Sequence, residues 1–358
     1  MRITRLALGQ FRAFPQLRWA PKPGLNLLYG ENGAGKTTVV EAISVLSRGR
    51  SFRAPQLSEL ARDGQAAGWQ VRAEIQHADP PSDEWRGRFQ ARQFRLLRNE
   101  DAVTQVEAAQ SLPLLVLVPG MHRIIDDGPA VRRSMIDWGL FHVEQRFLPV
   151  WRQYQRALRQ RNVLLRAQAS AERLQPWSKL LADAGEQLTA LRQSYVDALL
   201  PGFRAQLSVL LPNVEAELRL QPGWSAQSSH LEAALSAQLD SDRQGGHTRV
   251  GPHRAELRIL VDSYNARARL SRGQQKLLVI AFALAQAAHL ASVQQSWGPL
   301  IIDDWASELS PVSAERLWAQ LLRYPGQRWL TDFTPPPAAW RDAQTAVFHV
   351  EQGGVREC

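Results

Sequence analysis

The segment Gly30-Glu31-Asn32-Gly33-Ala34-Gly35-Lys36-Thr37 fits G-x-x-x-x-G-K-[ST] at every position, and it restricts the fold more than any other feature of the chain. Leu25–Tyr29 before it is a short apolar run, and the residues from Lys36 to Ser47 follow a helical pattern. Strand, glycine-rich loop and helix in that order are the context a phosphate loop requires. Gly30, Gly33 and Gly35 let backbone N–H groups curl around anionic oxygens without interference from side chains. The helix that follows aims the positive end of its dipole at the same anion. Lys36 would reach the β and γ phosphates as a point charge, and Thr37 would set its hydroxyl on Mg²⁺.

Far downstream, the apolar run Pro299–Ile302 ends in Asp303-Asp304. A strand that delivers an aspartate beside a phosphate loop is the usual Mg²⁺-holding arrangement, and Asp303 fits that role. Asp304 would orient or deprotonate an attacking water. Taken alone, the pair would serve equally as a solvated strand end; the upstream loop favours the metal reading. Just before that strand, Leu270-Ser271-Arg272-Gly273-Gln274-Gln275-Lys276 opens a helical stretch that runs to Leu290. Ser271 is well placed as an N-cap, and such a start presents free N–H groups to an anion.

Ile3–Leu8 and Val71–Ile75 alternate like strands, Asp79–Asp83 reads as a turn, and Phe89–Leu97 reads as a returning strand. Leu114–Val118 is an apolar run and Val131–Phe141 a helix. From Glu144 to about Leu211 helical periodicity dominates. Strand-like alternation returns at Gly251–Val261, followed by a helix at Ser313–Leu322 and late strands near Trp329 and Val347. The expected fold is α/β, with one head domain interrupted by a mainly helical second lobe. Its N-terminal part is 1–143, the helical arm 144–211, and the C-terminal part 212–358. With 44% apolar residues in 358, the chain can bury a sizeable core, which excludes disorder.

Lys+Arg is 43 and Asp+Glu 34, a net charge of +9. Only Lys22, Lys36, Lys179 and Lys276 are lysines, so the positive charge is nearly all arginine. A basic balance favours a polyanionic partner, but its placement must decide. Between Arg146 and Lys179 there are eight basic residues and a single acid, Glu172. Arg152, Arg156, Arg159 and Arg166 fall on one helical stripe, with Phe147, Trp151, Tyr154, Leu158 and Leu165 on the opposite side. A basic stripe backed by an apolar face suits phosphate tracking along DNA, and an ordinary solvated face has the same pattern. No base-reading motif is present, so sequence-specific binding is not expected. The sole cysteine, Cys358, excludes an internal disulfide and points to the reducing cytoplasm. No signal-peptide pattern is found, and no apolar run approaches the roughly 20 residues of a membrane span, so no membrane role is expected.

The order of these motifs resembles the RecF family of ABC-type ATPases, relatives of SMC heads. LSRGQQ (residues 270–275) is similar to the ABC signature, and DDWASEL (303–309) to the Walker B and D-loop stretch. Phe11-Arg12, Gly49–Arg53, Arg132-Arg133 with Ile136-Asp137, and Gly251-Pro-His-Arg254 also resemble RecF segments, so the likeness runs from the first strand to about residue 310. It implies that Gly30–Thr37, including Glu31, Asn32 and Ala34, binds ATP with Mg²⁺, and that Arg12 lies near the nucleotide. It implies that Asp303 holds the metal and that Asp304 stands where the catalytic carboxylate stands. Ser271 and Gly273 would touch the γ-phosphate of ATP held by a second copy, giving an ATP-dependent homodimer. The partners implied are single-stranded or gapped DNA, RecO and RecR, in recombinational gap repair.

Three departures accompany the likeness. Ser310 replaces the usual aspartate of the D-loop, no histidine stands near Thr331 where ABC ATPases often carry a switch histidine, and Asp304 is shorter than the more usual glutamate. Weak, DNA-stimulated hydrolysis is therefore expected. The alternatives are an ABC transporter ATPase subunit, an SMC head with long heptad arrays, which are absent here, and a scaffold that uses ATP only as a structural ligand.

Overall fold

The computed structural model describes residues 1–62, 68–77, 82–225, 227–228, 230–351 and 353–358. Two compact units are built from it: Met1–Met121 with Leu290–Cys358, and His122–His289. The chain enters the first unit through β1 (Arg2–Phe11), β2 (Phe14–Trp19), β3 (Leu25–Tyr29), α1 (Lys36–Arg48), β4 (Trp69–Gln76), β5 (Asp83–Gln90), β6 (Gln93–Arg98), β7 (Asp101–Ala102), α2 (Gln105–Ser111) and β8 (Leu115–Leu117). It then forms α3 (Arg123–Asp126), α4 (Pro129–Val143), α5 (Phe147–Arg166), α6 (Ala171–Leu210), β9 (Ala216–Gln221), α7 (Leu231–Ala237), α8 (Leu239–Gly245), β10 (Glu256–Val261), β11 (Tyr264–Asn265), α9 (Ala266–Arg269) and α10 (Arg272–Gln294). It ends with β12 (Leu300–Ile302), α11 (Pro311–Leu322), β13 (Arg328–Asp332), β14 (Thr345–Glu351) and β15 (Gly354–Glu357).

The first unit holds two six-stranded sheets, ordered β2-β1-β4-β5-β6-β7 and β15-β14-β3-β13-β12-β8. The first is antiparallel throughout. In the second, β3 lies parallel between β13 and β14, and β12 lies parallel between β13 and β8. This register brings the end of β3, which opens the phosphate loop, next to the end of β13, with β12 and Asp303 one strand further on. Ligands of open α/β sheets gather at such carboxyl ends. The core lies between the sheets, and α1 occupies it: Val39, Val40, Ile43, Val45 and Leu46 are fully buried with Phe11, Val71 and Trp85 of one sheet and Ile301 and Trp329 of the other. Gly49 closes α1 in a left-handed conformation, and its N–H donates to the Val45 carbonyl.

Two expectations change on folding. Phe89–Leu97 is not one strand, because the chain reverses at Ala91-Arg92, both at positive φ (50° and 62°), to pair β5 with β6. Neither residue is glycine, so no turn chemistry marked the hairpin. Gly251–Val261 begins as a 3₁₀ turn, Pro252–Arg254, and becomes a strand only at Glu256. The unit containing the expected 144–211 arm reaches further on both sides, since it also holds α4 and the three-stranded sheet β11-β10-β9. Of the expected turn at 79–83, residues 79–81 lie outside the described residues; Asp83 is the buried first residue of β5. The helix expected from Leu270 runs from Arg272 to Gln294, long and apolar enough by composition to cross a membrane. Within that apolar window 72% of the residues are buried in the fold, as in the core helix of a globular domain.

Candidate functional site

The phosphate loop begins where β3 ends. Gly30 sits at φ +150°, and a Cβ there would lie 2.4 Å from the Val350 carbonyl, so the first loop position is closed to any side chain. Gly33, at φ +81°, has no atom within 4 Å of where its Cβ would be: open space faces the loop at this point. The Lys36 ammonium donates to the Gly30 carbonyl (2.6 Å) and the Glu31 carbonyl (2.8 Å), so the lysine is folded back onto its own loop. Burial lowers its pKa, while Asp303, Asp304 and Asp332 oppose that shift. The Phe333 ring lies over this ammonium, 4.9 Å from it.

Thr37 meets Asp303 across 266 residues of sequence: its hydroxyl donates to Asp303 Oδ1 at 2.9 Å. The Thr331 hydroxyl, on β13, donates to the same oxygen at 2.5 Å and accepts the Asp304 backbone N–H at 2.8 Å. Asp303 is 2% exposed, and burial raises its pKa; the Thr331 and Thr37 hydrogen bonds work against that rise. Asp304 adopts φ +56°, uncommon for a residue with a side chain. Arg12 binds the fully buried Glu41 through both carboxylate oxygens (2.6 and 3.0 Å), and the Ser51 hydroxyl donates to the same carboxylate. A cavity of about 380 Å³ results, lined by Asn32, Gly33, Gly35, Lys36 and Thr37 with Arg12, Arg53, Asp303, Asp304, Thr331 and Phe333.

The sequence-derived residues Arg12, Asn32, Gly33, Gly35, Lys36, Thr37, Asp303 and Asp304 thus share one cavity, and Gly30 and Glu31 hold Lys36 through their carbonyls. Ala34 braces the loop by donating its N–H to the Glu31 carbonyl at 3.3 Å. Ser271 and Gly273 are not among the lining residues; they belong to the second unit, at the start of α10. There Ser271 N–H donates to the Gln274 side chain (2.9 Å), and Gln274 N–H reaches back to the Ser271 hydroxyl (3.4 Å), a reciprocal cap. Glu41, Ser51, Arg53 and Phe333 are additions that sequence reading did not single out for the site. Ser51 and Arg53, both inside the RecF-like segment Gly49–Arg53, carried a signal; Glu41 and Phe333 did not. Ser310 caps α11 by accepting the Ser313 N–H, a role that serine fills as readily as aspartate.

The RecF/RecN/SMC N terminal domain family matches residues 2–328. A protein of Stenotrophomonas maltophilia named DNA replication and repair protein RecF is 38% identical, with 99% of each chain covered. The chain belongs to the RecF family. A RecF of Pseudomonas paraeruginosa is 36% identical, covering 100% of this chain and 98% of its own. In fold, the chain is similar to a solved RecF–ATP structure of the RecFOR pathway (TM-score 0.87, 23% identity, 99% and 97% covered). It is similar also to an Smc head bound to a ScpA domain (TM-score 0.64, 15% identity, 100% and 97% covered). The architecture is that of an ABC-type ATPase head with a helical lobe. Nothing in these likenesses supports a transporter subunit.

The RecF-like segments without an assigned role meet inside the second unit. Arg132 forms a bidentate pair with Glu256 (2.8 Å to each oxygen), and Arg133 donates to the Ala255 carbonyl. Arg192 grips both oxygens of Asp137 and donates to the Pro252 carbonyl, each at 2.8 Å. His253 Nδ1 accepts a hydrogen bond from the Tyr154 hydroxyl (2.6 Å), and its Nε2 donates to the Thr248 carbonyl (3.0 Å). Burial pushes His253 down to about 4, so it is neutral at physiological pH. Arg152, Arg156, Arg159 and Arg166 are exposed on α5, and none has an ion-pair partner among the described residues. Arg161, counted with the basic stretch, is a core residue instead. It is fully buried and bound to Asp242 (2.7 Å), Thr248 and Ser178. Its helical phase coincides with the apolar face, in keeping with its place off the exposed stripe.

Proposed function

We propose that the chain is an ATP-gated DNA-binding protein of recombinational gap repair, acting in the cytoplasm on single-stranded or gapped DNA with RecO and RecR. The observation that carries this reading is the hydrogen bond between Thr37 and Asp303, which joins the phosphate loop to the β12 carboxylate. A threonine hydroxyl and a buried carboxylate are hard oxygen donors of the kind Mg²⁺ takes when phosphate fills much of its shell. Bound MgATP supplies the cleavable phosphoanhydride and the cation that neutralises it. Residues Gly30–Thr37 would hold the phosphates through backbone N–H groups, and Lys36, now on the Gly30 and Glu31 carbonyls, would donate to phosphate oxygens. Thr37 and Asp303 would hold the cation. Asp304 accepts the proton of the attacking water at its carboxylate, and Arg12, fixed by Glu41, keeps positive charge at the cavity wall. Ser271 and Gly273 complete the site of a second copy from the start of α10. The exposed stripe Arg152, Arg156, Arg159 and Arg166 on the 144–211 arm tracks the DNA backbone.

Fluorescence anisotropy of labelled gapped duplex, with and without MgATP, tests this reading. ATP is expected to tighten wild-type binding roughly tenfold, an ordinary coupling between two sites, and Lys36→Ala is expected not to respond. Equal affinity with and without ATP in both proteins would remove the nucleotide gate.

A further inference from the structure

The outward face of the antiparallel sheet sets arginines directly opposite one another. Its inward face, with Leu6, Leu8, Val71 and Trp85, packs into the core. On the outward face Arg72 lies directly opposite Arg86, and Arg88 lies directly opposite Arg95. Like charges at directly opposed positions of a sheet are destabilising. Arg86 is compensated by Glu84 and Glu100 (2.9 and 2.8 Å). Arg18, Arg72, Arg88 and Arg95 are exposed and have no ion-pair partner among the described residues.

Register arranges these groups around a trough. Ala7 on β1 pairs with Arg18 on one side and Arg72 on the other. In the next outward row, Gly9 pairs with Gln16 and Gln70, and Gln70 pairs with Arg88. Ala7 leaves the floor low, the Gln70 side chain lies over Gly9, and Gln16, Arg18, Arg72 and Arg88 contribute to the wall of a cavity of about 530 Å³. The arginine and glutamine side chains of this wall offer N–H donors, and arginine matches phosphate geometry in bidentate fashion. None of the outward side chains is aromatic, because Trp69, Phe89 and Phe94 stack on one another toward the core side. A face rich in phosphate donors without stacking platforms suits a duplex backbone better than splayed single-stranded bases.

We infer that this sheet face is a second nucleic-acid surface, one that holds the phosphate backbone of duplex DNA through Arg18, Arg72, Arg88 and Arg95. It belongs to the first unit, whereas the α5 stripe belongs to the second, and it needs no nucleotide, so it stands or falls independently of the ATP gate.

The test is anisotropy of a labelled blunt duplex without nucleotide, across a salt series. The proteins are wild type, Arg72→Gln/Arg88→Gln, Arg72→Lys/Arg88→Lys and the arm variant Arg152→Gln/Arg156→Gln. Removing one phosphate-binding charge lowers the slope of log K against log salt by about 0.9. The Gln pair is expected to weaken binding by about tenfold or more and to lower the slope by nearly two such steps. The Lys pair is expected to keep the slope. Because opposed like charges are removed, the Gln pair should melt no lower than wild type. Unchanged affinity and slope in the Gln pair, with all loss confined to the arm variant, would overturn the inference. So would poly-glutamate competing as well as duplex, or a Gln pair whose loss of binding accompanies a lower melting temperature.

Discussion

Thr331 places one hydroxyl between the two carboxylate residues of the site. It donates to Asp303 Oδ1 and accepts the Asp304 N–H, so both its bonds are used and both aspartates are fixed by one group on β13. Both bonds of Thr331 hold aspartate groups of the site rather than anything in the cavity beyond them. Its role is therefore positioning. Thr331→Val preserves shape and removes both bonds, leaving Thr37 as the remaining side-chain donor to Asp303. The expected result is a roughly tenfold higher Mg²⁺ requirement for ATP binding, the weight of one hydrogen bond to a charged group. Thr331→Ser should restore the wild-type value. Titration of Mg²⁺ against fluorescent-nucleotide binding reads both; an unchanged Mg²⁺ midpoint in the valine variant would show that Thr37 alone orients the carboxylate.

At the scale of elements, α5 is tied to the turn before β10 by a buried polar chain running from Tyr154 through His253 to Thr248 and Arg161. His253 has a folded pKa of about 4 against an ordinary 6.5. Between those values the unfolded chain binds a proton that the folded chain refuses. Stability is fully present above pH 6.5 and falls as the pH drops toward 4, by up to about 3 kcal/mol from this group. Urea unfolding at about pH 7 and about pH 5 should show that loss, and His253→Gln should be less stable at neutral pH yet lose less on acidification. The same helix shows what sequence could and could not disclose. Its amphipathic phase was legible, because period 3.6 is local information. Arg161 shares the phase of the apolar face, so its charge adds to the count of the stretch but not to the exposed stripe. The loop between β3 and α1 was legible because glycine and lysine types are dictated by phosphate geometry. The β5–β6 hairpin was not, since Ala91 and Arg92 carry no turn signature. The arginine pairs on the outer sheet face were not either, since register is set by strands far apart in sequence. Thr331 lay inside a buried apolar strand, where only the packing of β12 against β13 reveals its two partners.

For the whole molecule, the remaining question is where the second half of each site comes from. The phosphate loop and its carboxylates belong to the first unit, and the capped start of α10, with Ser271 and Gly273, belongs to the second. The proposed head-to-tail pairing gives each composite site Lys36 from one protomer and Ser271 from its partner. Such an arrangement has a signature that a self-contained site lacks. Lys36→Ala should abolish ATP binding in its own loop, and Ser271→Arg should place bulk and charge where the partner's γ-phosphate would lie. Each variant alone should lose DNA-stimulated turnover. In an equimolar mixture, half of the dimers are mixed. Each mixed dimer has one doubly damaged site and one intact site, which combines Lys36 of the Ser271→Arg protomer with Ser271 of the Lys36→Ala protomer. Turnover should therefore recover to roughly a quarter of wild type if the two sites act independently. A mixture no more active than its components would mean that each protomer completes its own site, or that both sites must fire together. Sedimentation of the mixture with ATP separates those outcomes, because only the second still forms a nucleotide-dependent dimer.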